Sequence, residues 1–327
     1  MSELSTTYLG LKLRNPLVVA SSELTATAKK IEACGRAGAG AIVLKSIFEQ
    51  DVSRAARELT KDALSPSSRD VQEMLAGVGE SYVLDDYLGL VEEAKHAASV
   101  PIIASLHCRD LRAWTTYARR IENVGADAIE LNLFELVGDA SRSGRDVEKN
   151  TIEVVRRVRR EVQIPIAVKI GPHFSSLGEV IGKLREAGAN GVVLFNRFYR
   201  ADIDVEREKF QPAPIFSAEG EATLPLRWIS LLSGQVDIDL CASTGIHDAV
   251  GAVKQLLVGA RAVQLCTGLY LRGVEYIQVM LGEIESWMQR HKHLAIEDFR
   301  GTLSLERIRN PAEVERAQYT EATSQPR

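Results

Sequence analysis

The segment VGADAIELNL (residues 124–133) decides the fold, because three other segments repeat its pattern. They are AGAGAIVLKS (37–46), AGANGVVLFN (187–196) and VGARAVQLCT (258–267). In each segment a glycine and an alanine follow a helical stretch, a short apolar run comes next, and polar residues end it. The glycine suits the end of a helix, where a residue of positive φ is favoured. Each segment therefore predicts the end of a helix and the start of a buried strand.

Four more apolar runs lie between these segments: NPLVVASS (15–22), VPIIASLH (100–107), IPIAVKIG (164–171) and IDLCASTG (238–245). Helical patterns separate most of the eight runs, which is typical of parallel strands that are covered on both faces. Eight such units in about 250 residues predict an α/β fold, the (β/α)8 TIM barrel. An open, doubly wound sheet is the alternative, because eight runs do not by themselves require closure.

Two intervals are too long for a single connecting helix, residues 47–100 after the second strand and residues 197–237 after the sixth. Both follow the carboxyl ends of strands, where a barrel carries its active-site loops. We therefore predict one barrel over residues 1–300 with insertions after strands two and six. The polar segment 301–327 is predicted to be a C-terminal tail that packs partly on the barrel.

Composition excludes several classes of protein. A hydrophobic share of 45% and a charged share of 26% are typical of a soluble globular protein. The net charge of −4 argues against a surface for nucleic acid or acidic lipid. No apolar run reaches the roughly 18 residues of a membrane span, and the N-terminus lacks the pattern of a signal peptide. Four scattered cysteines without a CxxC motif indicate a reduced, cytoplasmic protein with no metal or cluster site of its own.

Polar residues end the predicted strands, and in a barrel these ends meet on one face. The set comprises Ala20-Ser21-Ser22, Lys45-Ser46, Ser105, Asn132, Lys169, Asn196, Ser243-Thr244-Gly245 and Cys266-Thr267. A buried lysine is costly unless it is paired, so two lysines inside this ring predict a ligand site. For a single serine or threonine, a role in a turn or a cap explains the position equally well.

The ends of the last two predicted strands indicate a phosphate site. STGIHD (243–248) and CTG (266–268) place small residues and free backbone N–H groups where barrels commonly hold a phosphate. Asp248 is predicted to cap the helix that follows. The GxG at Gly38–Gly40 precedes a strand, so it is not a dinucleotide fingerprint. Flavin mononucleotide (FMN) would satisfy both features, since a lysine under its ring would stabilise the negative charge of the reduced flavin.

Six motifs together resemble the dihydroorotate dehydrogenases, especially the soluble class 1 branch. They are TYLGLKLRNPLVVASS (7–22), IVLKS (42–46), IELNL (129–133), PIAVKI (165–170), the TGI turn (244–246) and QLCTGLYLRG (264–273). The resemblance implies an FMN-dependent oxidoreductase that acts on a CH–CH bond. It would oxidise dihydroorotate to orotate in pyrimidine biosynthesis by hydride transfer to flavin. It also implies a cytoplasmic homodimer, and an iron–sulfur electron-transfer partner would have to bring its own cluster.

The resemblance gives the strand-end residues their roles. The residues implied to bind FMN are Ala20, Ser21, Lys45, Ser46, Asn132, Lys169, Thr244, Gly245, Cys266 and Thr267. Lys45, Asn132 and Asn196 are implied to bind substrate, with Lys45 between flavin and substrate and Lys169 near flavin N1. The family prefers glycine where Thr244 and Cys266 stand, and a side chain at either position would crowd the phosphate or point away from it.

The loop after IELNL departs from the family, which carries a cysteine or serine general base there within a short Cys/Ser-Pro-Asn motif. Here the stretch is FELV (134–137), and by count Glu135 occupies the position of the base. A carboxylate that is partly buried beside its apolar neighbours can abstract a proton, so we predict Glu135 and Lys45 as the catalytic residues. A surface glutamate is the alternative. Four less expected substitutes for the base are Ser141, Ser143, His107 and His173.

A second departure lies in residues 65–81, where the family uses asparagines to hold the pyrimidine ring and this chain has none. Loss of buried amides weakens discrimination for a hydrogen-bonding substrate. Two further hypotheses therefore stay open: an FMN oxidoreductase with another substrate or with a role as an electron-transfer subunit, and a Schiff-base lyase that uses Lys45 or Lys169.

Overall fold

The computed structural model describes residues 3–53, 69–135, 137–198, 201–212 and 215–307, without the side chains of residues 69–82 and 212. In chain order the strands are β1 (Thr6–Tyr8), β2 (Leu11–Leu13), β3 (Leu17–Val19), β4 (Ala41–Val43), β5 (Ile47–Phe48), β6 (Ile102–His107), β7 (Ala128–Leu133), β8 (Ile166–Ile170), β9 (Gly191–Leu194), β10 (Ala201–Asp204), β11 (Lys209–Pro212), β12 (Asp239–Ser243) and β13 (Ala262–Leu265). The α-helices are α1 (Ala28–Arg36), α2 (Arg69–Ala97), α3 (Leu111–Asn123), α4 (Gly144–Glu161), α5 (Leu177–Glu186), α6 (Thr223–Leu232), α7 (Ala249–Leu257), α8 (Thr267–Arg272) and α9 (Tyr276–His291).

Eight parallel strands close into a barrel in the order β3, β4, β6, β7, β8, β9, β12 and β13. Closure is made by β13, which pairs with β3 through Leu265 and Val19, and by β4, which pairs with β6 through Val43 and Ile103. Each of these strands falls inside one of the eight apolar runs. The predicted TIM barrel is therefore confirmed, and the open sheet is excluded.

The glycines of the four repeated segments act as the sequence pattern predicts. Gly38, Gly125, Gly188 and Gly259 have φ angles of 101°, 87°, 105° and 117°, and each lies just beyond the end of a helix. Their positive φ turns the chain out of the helix and into the next strand, a conformation that disfavours residues with a Cβ atom.

Side chains of the barrel strands alternate between two apolar clusters. One cluster fills the barrel and contains Val18, Ala41, Val43, Ile103, Ala128, Ala167, Val193, Cys241 and Ala262. The other lies between the strands and the surrounding helices and includes the alternate residues Ile129 and Leu131. The strands are thus buried on both faces, which explains their unbroken apolar runs.

A hairpin of β1 and β2 plugs the amino-terminal end of the barrel. Tyr8, Leu9 and Leu13 are buried in the inner cluster, and the backbone N–H of Leu9 donates to the carboxylate of Asp239 at 2.7 Å. Burial is the largest cause that raises the pKa of Asp239. Neither of these three-residue strands lies within one of the eight apolar runs, so the hairpin was not predicted from the sequence.

The two insertions contain further elements. After β4, the chain forms β5, a helical stretch at residues 49–53, and α2. After β9 it forms the antiparallel hairpin of β10 and β11, which precedes α6. No helix in the described part of the chain combines the length and apolar character needed to cross a membrane.

Residues 301–307 contact α7. The N–H groups of Gly301 and Leu303 donate to Leu256 O and Leu257 O at 3.0 and 2.9 Å, and Leu305 is buried. The rest of the predicted tail, residues 308–327, lies outside the described residues.

Replacement of Gly40 by alanine tests the close approach of β4 to the chain that enters β3. A Cβ atom at Gly40 would lie 2.0 Å from the backbone oxygen of Asn15, which is itself buried. We expect Gly40→Ala to lower the free energy of unfolding by about 3 kcal/mol, because the backbone must move to relieve the clash. Urea denaturation gives the measurement.

Gly182→Ala is the matched control, because a Cβ atom at this position of α5 meets nothing within 4 Å. It should raise the free energy of unfolding by about 0.5–1 kcal/mol through helix propensity. Equal stability of the Gly40→Ala protein and the native protein would contradict the close approach.

Candidate functional site

A cavity of about 330 Å³ opens at the carboxyl ends of the barrel strands. Eight of the predicted site residues line it: Ala20, Ser21, Lys169, Asn196, Thr244, Gly245, Cys266 and Thr267. Phe195, Arg197, Phe198, Ile215, Ser217, Ser243, Ile246 and Gln264 complete the lining. The cavity therefore brings together the ends of β3, β8, β9, β12 and β13, which are far apart in the sequence.

The floor of the cavity is a charged network on the barrel axis. The ammonium of Lys169, which is only 8% exposed, donates to Gln264 Oε1 at 2.7 Å. Gln264 Nε2 in turn donates to Glu130 Oε2 at 2.5 Å. Glu130 is 1% exposed, and its Oε1 lies 4.0 Å from the Lys169 nitrogen. The prediction that Lys169 is nearly buried among polar groups is confirmed.

Two asparagines meet beside this floor. The amide of Asn196 donates to the side-chain oxygen of Asn132, which follows from the pairing of β7, β8 and β9 around the barrel. The ring of His107 contacts the backbone oxygen of Asn132 through Nδ1 at 2.8 Å. Their side chains stay half-buried and face the carboxyl end of the barrel, where amide groups can bind a polar ring.

Hydroxyl groups form a second network beside Ser21. Ser46 Oγ lies 3.0 Å from Ser21 Oγ and 2.7 Å from Ser105 Oγ, and Ser46 N donates to Ser21 Oγ at 2.9 Å. The phenol of Tyr87 donates to Ser105 O at 2.9 Å. Because Ser46 and Ser105 are buried and satisfied by these bonds, they hold the ends of β3, β4 and β6 together at the cavity edge.

The opposite end of the cavity is built around Ser217, a residue of the second insertion. Gly245 N donates to Ser217 Oγ at 3.3 Å, and this hydroxyl also lies 3.0 Å from Thr267 Oγ1 and 3.0 Å from His247 Nε2. Gly245 must be glycine, since its φ is 79° and a Cβ atom would lie 2.2 Å from the backbone nitrogen of Ala222. Small polar donors therefore converge on one point at the ends of β12 and β13.

Comparison with known proteins decides the family. A model of the dihydroorotate dehydrogenase family matches residues 3–288. This chain belongs to the dihydroorotate dehydrogenase family. The match spans the hairpin, the whole barrel and both insertions, so the resemblance of the six motifs is confirmed.

Several relatives extend along nearly the full chain. The catalytic subunit of dihydroorotate dehydrogenase B (NAD(+)) from Methanothermobacter thermautotrophicus is 28% identical over 306 residues, which cover 91% of this chain and 97% of that protein. The subunit of the same name from Thermoplasma acidophilum is 26% identical, with coverage of 92% and 99%. The chloroplastic dihydropyrimidine dehydrogenase (NADP(+)) of Arabidopsis thaliana is 22% identical, with coverage of 91% and 76%.

Thr244 and Cys266 stand where the resemblance implies glycine, and their side chains are accommodated in different ways. Thr244 has a φ of 82°, and its hydroxyl donates to Phe195 O at 3.0 Å, so the side chain is bound to the end of β9. Cys266 is partly exposed. Burial raises the pKa of its thiol, while the Lys169 charge and a hydrogen bond from Ser22 oppose the rise. Cys266 lines the cavity.

The prediction that Lys45 is a buried lysine is wrong. Its side chain is 47% exposed and forms an ion pair with Glu23, and Lys45 does not line the cavity. Hydrogen bonding to Lys45 is the largest cause that lowers the pKa of Glu23. The physical reason is that Lys45 lies beyond the last paired residue of β4, where the chain has already left the barrel interior.

The expected partial burial of Glu135 is also wrong. Its side chain is 47% exposed, and its carboxylate forms an ion pair with Arg142 of the same loop. Leu136, the second apolar neighbour that was expected to cover Glu135, lies outside the described residues. The first neighbour, Phe134, packs on Phe198, with ring centroids 4.5 Å apart.

All four substitutes for the base have other contacts, and that of His107 is with the backbone oxygen of Asn132. Ser143 caps α4 by accepting from Asp146 N, and Ser141 donates to Asp139 within the loop. His173 is exposed, with its ring 4.9 Å from that of Phe198.

Asp248 caps α7 by accepting from Gly251 N at 2.7 Å, as predicted.

Several residues of the site were not predicted, among them the polar residues Glu130, Gln264, Ser217 and His247. The first two carry a signal in the sequence, because each lies two residues before a predicted inward-facing residue, Asn132 or Cys266, and shares its face of the strand. Ser217 carries no such signal, because it belongs to an irregular segment of the insertion.

The thiols provide a test of the site geometry. Cys34, Cys108 and Cys241 are buried, and burial raises the pKa of all three, that of Cys34 to about 11. Because the thiolate is the reacting form, we expect a thiol reagent at pH 8 to modify Cys266 at least tenfold faster than the other three. The reaction should still be slower than that of free cysteine, since burial also raises the pKa of Cys266.

Peptide mapping after timed reaction gives the order of modification. Cys266→Ser is the control and should remove the fast phase. A fast phase that persists in this variant would mean that another cysteine is accessible and that the cavity is lined differently.

Proposed function

We propose that this protein is an FMN-dependent dihydroorotate dehydrogenase, which oxidises dihydroorotate to orotate in pyrimidine biosynthesis. The observation that carries the proposal is the cavity at the strand ends with the nearly buried Lys169 on its floor. A lysine of this kind needs an anionic or polar partner, and barrel enzymes bind ligands at this end of the strands. The names of the relatives supply the substrate.

The chemistry of the lining suits FMN. An ammonium group has three N–H donors, and Lys169 has one acceptor within hydrogen-bond distance, Gln264, among the residues that the structure describes. Its remaining donors are free for a flavin ring at N1. Bound FMN would supply the two-electron acceptor. Ala20 and Ser21 would border the ring. Ser46 would lie behind Ser21, and Lys169 would lie below the ring.

The phosphate of FMN would lie near Ser217. The groups gathered there are Gly245 N–H, the Thr267 hydroxyl and His247 Nε2. Each can donate a hydrogen bond to a phosphate oxygen. Thr244 and Cys266 complete this proposed set. The hydroxyl of Ser217 now bridges these groups, so its rotation would release donors to the phosphate oxygens.

The substrate would contact the amides of Asn132 and Asn196, with Lys45 at the rim. Oxidation of a CH–CH bond to a C=C bond removes a hydride and a proton, and the proton requires a base. We propose Glu135 for this role. It lies on the loop that follows β7, and its carboxylate must leave Arg142 before it can accept the substrate proton.

An anaerobic titration tests the proposal. The purified protein, supplied with FMN, should show flavin absorption bands, and dihydroorotate should bleach them. Flavin bands that stay oxidised would retain the cofactor and reject the substrate, which would favour a different reduced substrate. A protein that stays colourless after addition of FMN would overturn the proposal and restore the Schiff-base hypothesis, which borohydride trapping on Lys45 or Lys169 would then test.

The same titration tests the base. We expect Glu135→Gln to bind FMN normally and to slow bleaching by about 100-fold or more, because the amide cannot accept the proton. Glu179→Gln is the matched control, since Glu179 is an exposed glutamate that is ion-paired with Lys183 far from the cavity. An unchanged rate in Glu135→Gln would place the base elsewhere, with His107 and His173 as the next candidates.

We further propose that the enzyme is a cytoplasmic homodimer that passes electrons to an iron–sulfur partner. Two observations support partners. The archaeal relatives are named catalytic subunits of an NAD(+)-linked enzyme, and the hairpin of β10 and β11 exposes Ile203 and Phe210 opposite each other, at 55% and 82%. Large exposed apolar patches mark sites of protein contact, and we propose that this pair belongs to one. The four free thiols agree with a reducing compartment.

The purified chain should therefore reduce an artificial dye with dihydroorotate but leave NAD⁺ unchanged. Light scattering should give about twice the chain mass of 35.9 kDa. Direct reduction of NAD⁺ by the chain alone would contradict the need for a partner. A mass equal to one chain would contradict the homodimer.

A further inference from the structure

We infer that Glu130 is a positioning residue that sets the charge under the flavin ring through Gln264 and Lys169. The inference rests on the proposed binding of FMN and extends it by naming a residue that never touches the ligand. Glu130 is absent from the cavity lining, whereas Gln264 and Lys169 both line it. The carboxylate thus lies one layer deeper in the barrel than the groups that would meet the ring.

The place of Glu130 in the barrel needs a reason beyond packing. Ala128, Glu130 and Asn132 share the inward face of β7, and the neighbouring inward positions are apolar or neutral, such as Ala167 and Cys241. Removal of a carboxylate from water costs several kcal/mol unless a cation compensates it. Lys169 is the one cation within 4.0 Å of this carboxylate in the described part of the chain.

Gln264 fixes the orientation of the network. Its oxygen accepts from Lys169 and its nitrogen donates to Glu130, so both ends of the amide are used and a flip would break both bonds. The amide therefore bridges the two charged groups. Lys169 lines the cavity, and Glu130 lies behind it.

One oxygen of Glu130 remains without a hydrogen-bond partner. Glu130 Oε1 is fully buried and faces the ammonium of Lys169 at 4.0 Å, beyond hydrogen-bond distance. The phenol of Tyr8 rises from the hairpin plug below and is also unpartnered. Burial is the largest cause that raises the pKa of Tyr8, followed by Cys241 and the charge of Glu130. Tyr8 thus stays neutral, and Lys169 remains the group that compensates the charge of Glu130.

This arrangement has a defined effect on a flavin above Lys169. The ammonium favours negative charge on the ring, and Glu130 partly cancels that field, because both groups are buried and screening is weak there. Removal of the Glu130 charge should therefore favour the reduced flavin and raise its reduction potential. Removal of the Lys169 charge should lower it.

The double-mutant cycle of Glu130→Gln and Lys169→Met tests the inference. The amide of Glu130→Gln keeps an acceptor for Gln264 and removes only the charge. We expect this variant to raise the ratio of reduced-flavin to oxidised-flavin affinity about tenfold, which corresponds to about 30 mV for a two-electron couple. Because Glu130 is inferred to act through Lys169, Glu130→Gln in the Lys169→Met background should leave the potential unchanged.

Two measurements keep the outcomes distinct. The first is the potential of the FMN-loaded proteins against a reference dye, with Ser105→Ala as control, because Ser105 shares the buried polar interior and bonds to Ser46 instead of Lys169. The second is urea unfolding of the flavin-free proteins. There the two charges should show a coupling free energy, because either single variant leaves the other charge buried alone.

Bound FMN with the same potential in native protein, Glu130→Gln and Ser105→Ala would overturn the inference and leave the proposed function standing. Equal shifts in Glu130→Gln and Ser105→Ala would also overturn it, since the effect would then come from disturbed packing. Failure of every variant and of the native protein to bind FMN would overturn the proposed function together with the inference. A tenfold rise that disappears in the Lys169→Met background supports it.

Discussion

The alternation of side chains along the strands of a closed barrel is the constraint on which the rest of this structure depends. On β7 the inward residues are Ala128, Glu130 and Asn132, which lead from the apolar interior to the charged floor and then to the cavity mouth. On β13 the inward residues Ala262 and Gln264 make the same transition. Inward-facing residues are two positions apart along each strand. An apolar layer of the barrel interior therefore lies directly beneath the polar layer, and the polar layer forms the floor of the cavity.

The polar layer depends in turn on the apolar layer beneath it. The hairpin plug buries Tyr8, Leu9 and Leu13 against the barrel interior and closes the end opposite the cavity. Access to the interior is thereby confined to the carboxyl ends of the strands. Burial strengthens the interaction between Glu130 and Lys169 and makes loss of either partner costly.

The chain combines strand motifs that resemble the family with loops that depart from the pattern that this resemblance implies. The motifs carry Lys169 and Asn196 to the cavity, where Asn196 donates to Asn132. The departures lie in the loops, at Glu135 and in residues 65–81. Strand residues are restrained by packing on both faces, whereas loop residues are restrained by few contacts, so catalysis is most open to change at the rim. The ion pair of Glu135 with Arg142 belongs to this rim.

The sequence by itself indicated the eight strand positions, the glycines that end the helices and the cap at Asp248, because each depends on neighbours within a few residues. Closure of the barrel, which eight apolar runs do not by themselves require, was decided by the tertiary structure. Periodicity also indicated that Lys169 faces inward. Tertiary structure decided what Lys169 meets, since Gln264 is 95 residues away from it and Glu130 is 134 residues away from Gln264. It also decided that Ser217 reaches His247 and that Lys45 and Glu135 lie exposed at the rim. Such contacts depend on which strands become neighbours when the barrel closes and on how far each loop extends beyond it, and local pattern carries no record of either.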